Sequence, residues 1–158
     1  MLENKKADIR RVCRIDITRE YSHPVEELWR AISDSRRISV WMNYSTRLEP
    51  VVGGEIYVDF SPDDGIRGVV CAFDRNALLV YTWGDALVKW ALSSKGGGSR
   101  LKLSHIGVEP AKAPGLAAGW HAFLDHLGPY LDGKKVADRF EQLERQYQQE
   151  YSQHASSH

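Results

Sequence analysis

Residues 115–133 read GLAAGWHAFLDHLGPYLDG, and the spacing inside this stretch decides the fold. Over residues 116–131, Trp120, Leu124, Leu127 and Leu131 fall on one helical stripe with Phe123 beside it, and Gly133 stands just past the last periodic position. A helix this apolar needs a second layer to cover it. The chain before it supplies one. From residue 44 to 106, turn-forming clusters recur at short intervals: PVVGG at 50–54, SPDDG at 61–65, DRN at 74–76, WGD at 83–85 and KGGGS at 95–99. They delimit six strand candidates. Ile56, Val58 and Phe60 share one phase, as do Leu79, Tyr81 and Trp83, then Val88, Trp90 and Leu92, then Leu101, Leu103 and His105. Connections this short favour an antiparallel meander with one face buried. Over 66–73 two phases compete, and the set Val69, Cys71 and Phe73 is expected to face inward, ahead of Gly68, Val70 and Ala72.

Working outward, RVCRIDITREY at 11–21 places Cys13, Ile15, Ile17 and Tyr21 on one face of a first strand. HPVEELWRAIS at 23–33 then reads as an amphipathic helix with Pro24 at its first position and Glu26 and Glu27 at its positive end. SRRISVWM at 35–42 adds a second short helix that Asn43 ends. Beyond Gly133, the spacing of Val136, Phe140, Leu143, Tyr147 and Tyr151 predicts another amphipathic helix over 134–153, docked on the body or on another protomer, while SQHASSH frays. The expected organisation is an N-terminal tail over 1–10, one α+β domain over 11–133 and a C-terminal helical extension over 134–158.

A length of 158 residues suits one core, and 42% hydrophobic with 27% charged residues is a globular balance. Lys plus Arg and Asp plus Glu number 21 each, so no net field recruits nucleic acid or anionic lipid. MLENKKADIR lacks the apolar run of a secretory signal, and no stretch is long and apolar enough to span a bilayer; a cytoplasmic protein without nucleic-acid or membrane partners is expected. Cys13 and Cys71 form no CxxC pair and are expected to be buried free thiols.

The segments HPVEELWRAISDSRRISVWM, VVGGEIYVDF, RGVVCAFDRNALLVYTWGD, GGGSRLKLSHIGVE and GWHAFLDHLGPYLDG resemble, in order and separation, successive blocks of the helix-grip (START-like, SRPBCC) superfamily. Among its branches the wording is most similar to the C-terminal domain of the activator of heat-shock-protein-90 ATPase, over about residues 12–133. The resemblance implies a curved seven-stranded antiparallel sheet wrapped around the long helix at 116–131, with a cavity between them. It implies no single activity, because relatives bind lipids and hormones, cyclise polyketides or act as co-chaperones. The additional N-terminal domain of the full-length activator is expected to be absent, so partner recognition does not carry over directly.

The inward phases would line such a cavity with Trp41, Tyr81, Trp83, Trp90, His105, Trp120 and Leu124. Rings with few polar anchors suit a small hydrophobic or aromatic ligand, and the same rings could instead simply fill the core. His105 is the clearest inward polar residue, yet no carboxylate stands at a readable spacing to orient it as a base. His121 and His126, five apart, point in directions too different to chelate one metal. Arg67 either reaches the cavity mouth or lies in solvent. The glycines at 96–98 lack the Lys-Ser/Thr pair of a phosphate loop and read as a hairpin turn. No catalytic set, metal site or cofactor is expected. The expected role is non-catalytic ligand binding in a monomer or homodimer; the alternatives are a co-chaperone-like module that binds a chaperone or other protein, and a cyclase- or hydrolase-like enzyme.

Overall fold

The computed structural model describes residues 11–136 and 139–156, with side chains through Tyr151. Its elements follow the expected order: β1 (Cys13–Tyr21), α1 (Val25–Ser33), α2 (Ser35–Met42), β2 (Ser45–Leu48), β3 (Glu55–Ser61), β4 (Asp64–Asp74), β5 (Leu78–Trp83), β6 (Ala86–Lys95), β7 (Gly98–Val108), α3 (Ala113–Leu131) and α4 (Phe140–Ser156). The seven strands form one antiparallel sheet in the order β1-β7-β6-β5-β4-β3-β2. This is a helix-grip fold. Ile56, Val58, Leu79, Tyr81, Val88, Trp90, Leu101 and Leu103 are buried together with Trp120, Phe123, Leu124 and Leu127 of α3 in one core. The period-two and period-3.6 patterns therefore meet face to face.

The short helices close one end of this layer pair. Asp34 accepts the backbone N–H groups of Arg36 and Arg37, satisfying two donors at the start of α2. Asn43 ends the helix at φ 61°, in the left-handed conformation that asparagine tolerates. Two serines one turn apart on α2 then seal the edge strand β2. Ser39 Oγ accepts the Thr46 N–H at 2.9 Å, and Ser35 Oγ accepts the Leu48 N–H at 2.8 Å. Backbone donors that could pair with another strand are thereby satisfied within the chain.

Three expectations are corrected. The phase of β4 is neither of the two simple ones: Val70 is buried, Val69 and Cys71 are exposed, and the register with β5 shifts between Val70 and Ala72. A β-bulge there adds one residue, so Phe73 returns to the inner face and packs against Trp29 at 5.2 Å. The bulge also corrects the cysteine reading, because it leaves Cys71 on the outer surface, while Cys13, at the start of an edge strand, is only half-buried. Of the two readings of Arg67 the structure bears out the solvent one: it is exposed on the outer face with its guanidinium over the Tyr57 ring at 4.4 Å. The last helix begins at Phe140, so Val136 precedes it; it runs through Ser156, into the segment expected to fray. The tail at 1–10 lies outside the described residues. Among those residues, no helix is long and apolar enough to cross a membrane.

Candidate functional site

The inward side chains converge as their phases require. Trp41, at the end of α2, meets Trp90 of β6 edge-on at 6.1 Å; Trp90 meets Trp120 of α3 at 5.9 Å; and Trp120 meets Trp83 of β5 at 5.2 Å. Tyr81 stacks beside Trp83 at 6.4 Å, and Leu124 is buried one turn beyond Trp120. All seven predicted residues thus sit in the space between sheet and helix.

Three of the indole N–H groups in this space are paired. Trp90 Nε1 donates to Tyr81 Oη at 2.9 Å, Trp41 Nε1 donates to the Ala31 carbonyl at 2.8 Å, and Trp120 Nε1 donates to His105 Nδ1 at 2.9 Å. Because His105 Nδ1 accepts, its neutral ring carries the proton on Nε2. Burial lowers the His105 pKa to about 4, so the ring is neutral near pH 7. Its Nδ1 lone pair is occupied by an indole, and among the described residues no carboxylate or nucleophile hydrogen-bonds to it. A base needs a free lone pair and an orienting partner; this histidine is an acceptor for Trp120 instead. Burial likewise raises the pKa of Tyr81, leaving its phenol un-ionised.

The rings form a continuous path from the interior to the surface. Trp120 touches Phe123 at 5.9 Å, Phe123 touches Tyr44 at 6.0 Å, and Tyr44 touches Phe60 at 5.0 Å, which in turn meets Trp83 at 6.2 Å. Trp41 and Trp90 are sealed at 0% and 2% exposure, whereas Trp83, Phe60 and Tyr44 are half-buried. At this outer end α4 arrives, and Phe140 packs on Phe123 at 4.5 Å and on Tyr44 at 5.8 Å. Tyr44 and Phe140 line a groove of about 770 Å³ whose walls carry Asn43, Arg139, Arg145 and Gln149. Sequence reasoning did not single out Tyr44. Its only signal is the residue before it, since left-handed Asn43 re-aims the chain at the site's rim.

His121 and His126 hold separate structural positions. His126 Nδ1 lies 3.1 Å from the Trp41 carbonyl, and His121 hydrogen-bonds to Arg19 and Tyr151. Among the described residues no group of His, Cys, Asp and Glu is arranged to hold a metal ion.

A family model described as Activator of Hsp90 ATPase homolog 1-like protein matches residues 22–132. Among solved structures, the fold is similar to the crystal structure of CalU16 from Micromonospora echinospora, at 22% identity and TM-score 0.73, covering 88% of this chain and 85% of that one. It is similar to protein MLL2253 from Mesorhizobium loti, at 26% identity and TM-score 0.71, covering 76% of this chain and 97% of that one. It is also similar to DynU16, a protein of the dynemicin biosynthetic locus, at 23% identity and TM-score 0.71, covering 78% of this chain and 49% of that one. Nothing among curated proteins matches the chain.

Proposed function

Because the chain belongs to the family of Activator of Hsp90 ATPase homolog 1-like proteins, we propose that it uses the helix-grip architecture to bind a small hydrophobic or aromatic molecule without transforming it. The observation that carries this reading is the ring path from Trp120 through Phe123 to Tyr44, which ends at a groove of about 770 Å³. In this reading the ligand enters from the groove at Tyr44 and stacks on half-buried Trp83, with Tyr81, Trp120 and Leu124 buried behind that ring. Trp41 and Trp90 form the wall behind with their indole N–H groups already paired, and His105 has its Nδ1 occupied by Trp120, so the site offers ring faces more than hydrogen bonds. The occupied lone pair of His105 supports binding over turnover.

Tryptophan emission tests the proposal directly. A panel of fatty acids, flavonoids and aromatic acids should include members that quench or shift the emission and raise the melting temperature through mass action. Trp83→Ala should weaken the response at least several-fold, since an aromatic anchor in a pocket carries about 2 kcal/mol or more. A panel without either response at near-millimolar concentration sinks the reading.

The family match itself favours a second reading, a co-chaperone-like module. Stimulation of the ATPase of a heat-shock-protein-90 chaperone by the purified chain, unaffected by Trp83→Ala, would place that reading first.

A further inference from the structure

We propose that α4 is a lid over the outer end of the aromatic site, latched by a polar cluster around His121 and released when that imidazole takes up a proton. What the lid gates rests on the ligand reading above; the latch rests on its own geometry. Where α4 crosses α3, the lower helix presents glycine: a Cβ on Gly119 would lie 3.5 Å from Glu144 Oε2 and 3.9 Å from the tip of Phe140. The two helices therefore lie close, and Phe140 covers Phe123 and Tyr44 where the ring path surfaces.

The rest of the seam is polar and ordered by one residue of β1. Arg19 Nη1 donates to Asp125 Oδ1 at 2.8 Å, and Arg19 Nη2 donates to His121 Nδ1 at 3.1 Å. From α4, Tyr147 Oη donates to Asp125 Oδ2 at 2.6 Å, and its ring stacks on His121 at 4.6 Å with 15° between the planes. Tyr151 Oη lies 2.8 Å from His121 Nε2. An arginine has only donors, so His121 Nδ1 must accept and Nε2 must carry the proton given to Tyr151. The ring is thus fixed in one neutral tautomer by partners on both sides.

A second proton has no acceptor to meet. It would stand on Nδ1, against an arginine N–H at 3.1 Å, and set two cations side by side. The groups facing the ring are Arg19 from β1, Asp125 from α3, and Tyr147, Tyr151 and Glu150 from α4, with Glu144 farther along that helix. Asp125 and Glu150 favour the charged ring, but Asp125 already serves Arg19 and Tyr147. Burial, and then the Arg19 charge, hold the His121 pKa below its ordinary value. The sign follows: docking of α4 is fully supported above about pH 6.5 and weakens as the pH falls from there toward the lowered folded-state value.

Hydrogen exchange of the full chain at about pH 7.5 and about pH 5.5, corrected for intrinsic rates, reads the latch without any ligand. The amides of α4 should lose protection at the lower pH, by at most about tenfold for one proton taken up about one pH unit below the ordinary imidazole value, while those of β6 and β7 keep theirs. His121→Gln retains an acceptor for Arg19 and a donor for Tyr151 but cannot titrate, and its α4 protection should be equal at both pH values. In the wild-type chain, the imidazole NMR shift of His121 should titrate over the range in which protection is lost. Unchanged wild-type protection, a loss shared by His121→Gln, or a His121 titration outside that range overturns the latch. Uptake of 1-anilinonaphthalene-8-sulfonate should be faster at the lower pH in the wild type alone. If α4 opens as expected while the dye binds at neither pH, the ligand reading fails and the proton-released helix is upheld.

Discussion

His105 illustrates how a residue type that suggests chemistry is turned to structure by its neighbours. One ring nitrogen accepts from Trp120, and 1% exposure keeps water from the imidazole. Its pKa, lowered by burial to about 4, sits below the unfolded value of about 6.5. The unfolded chain therefore binds this proton first as the pH falls, and the stability the neutral ring supplies is present above about pH 6.5 and lost as the pH drops toward about 4. His105→Gln keeps an acceptor for the indole and removes the titration. Its melting temperature should fall less steeply than that of wild type between those limits, and thermal scans across the pH series check this; parallel slopes would mean that the ring is not protonated on unfolding. Cys71 makes the complementary point, since an exposed thiol occupies a position whose apolar neighbours suggested burial.

Among the elements, β4 carries the largest irregularity. Its Val69 N–H is satisfied by Thr82 Oγ1 at 2.9 Å, and a Cβ on Gly68 would lie 1.9 Å from the Thr82 carbonyl oxygen. The strands β4 and β5 can approach at this point only over glycine. Gly68→Ala should cost about 1–3 kcal/mol, read as a lower urea midpoint with an unchanged slope. An alanine tolerated without loss would show that the strands separate freely there. For α3, Leu124→Asp places a carboxylate at a position 1% exposed among rings and aliphatics. A penalty of several kcal/mol against a total of about 5–15 should leave the chain unfolded by circular dichroism. A variant that melts like wild type would place that face of the helix elsewhere.

At the scale of the molecule, two layers share one core and α4 is held by a narrower seam. The sheet and α3 bury a contiguous cluster from Ile17 to Leu127, whereas α4 contributes Phe140, buried Leu143 and the polar links to Asp125 and His121. Opening of α4 should therefore need less free energy than opening of β6, β7 or α3. Native-state hydrogen exchange at low denaturant would rank these elements, and α4 amides exchanging only by global unfolding would contradict the ranking.

The sequence by itself determined the element order, the inner face of five strands and the stripe of α3, because side-chain period follows directly from backbone geometry. Trp83, Trp90 and Trp120 could be assigned to one space for the same reason. The resemblance supplied the closure of the sheet around the helix. Other features depend on where the chain meets itself. The bulge in β4 was visible only as two competing phases, Val70 against Phe73, since a single inserted residue leaves each local pattern intact. The partners of His105 and His121 lie 15 and 102 residues away, so no local spacing could name them. Tertiary packing alone decided that the rings hydrogen-bond to one another, that the path surfaces at Tyr44, and that Arg19 fixes the tautomer of His121. Each of these is a contact between elements, and periodicity records which way a side chain points, not what stands opposite it.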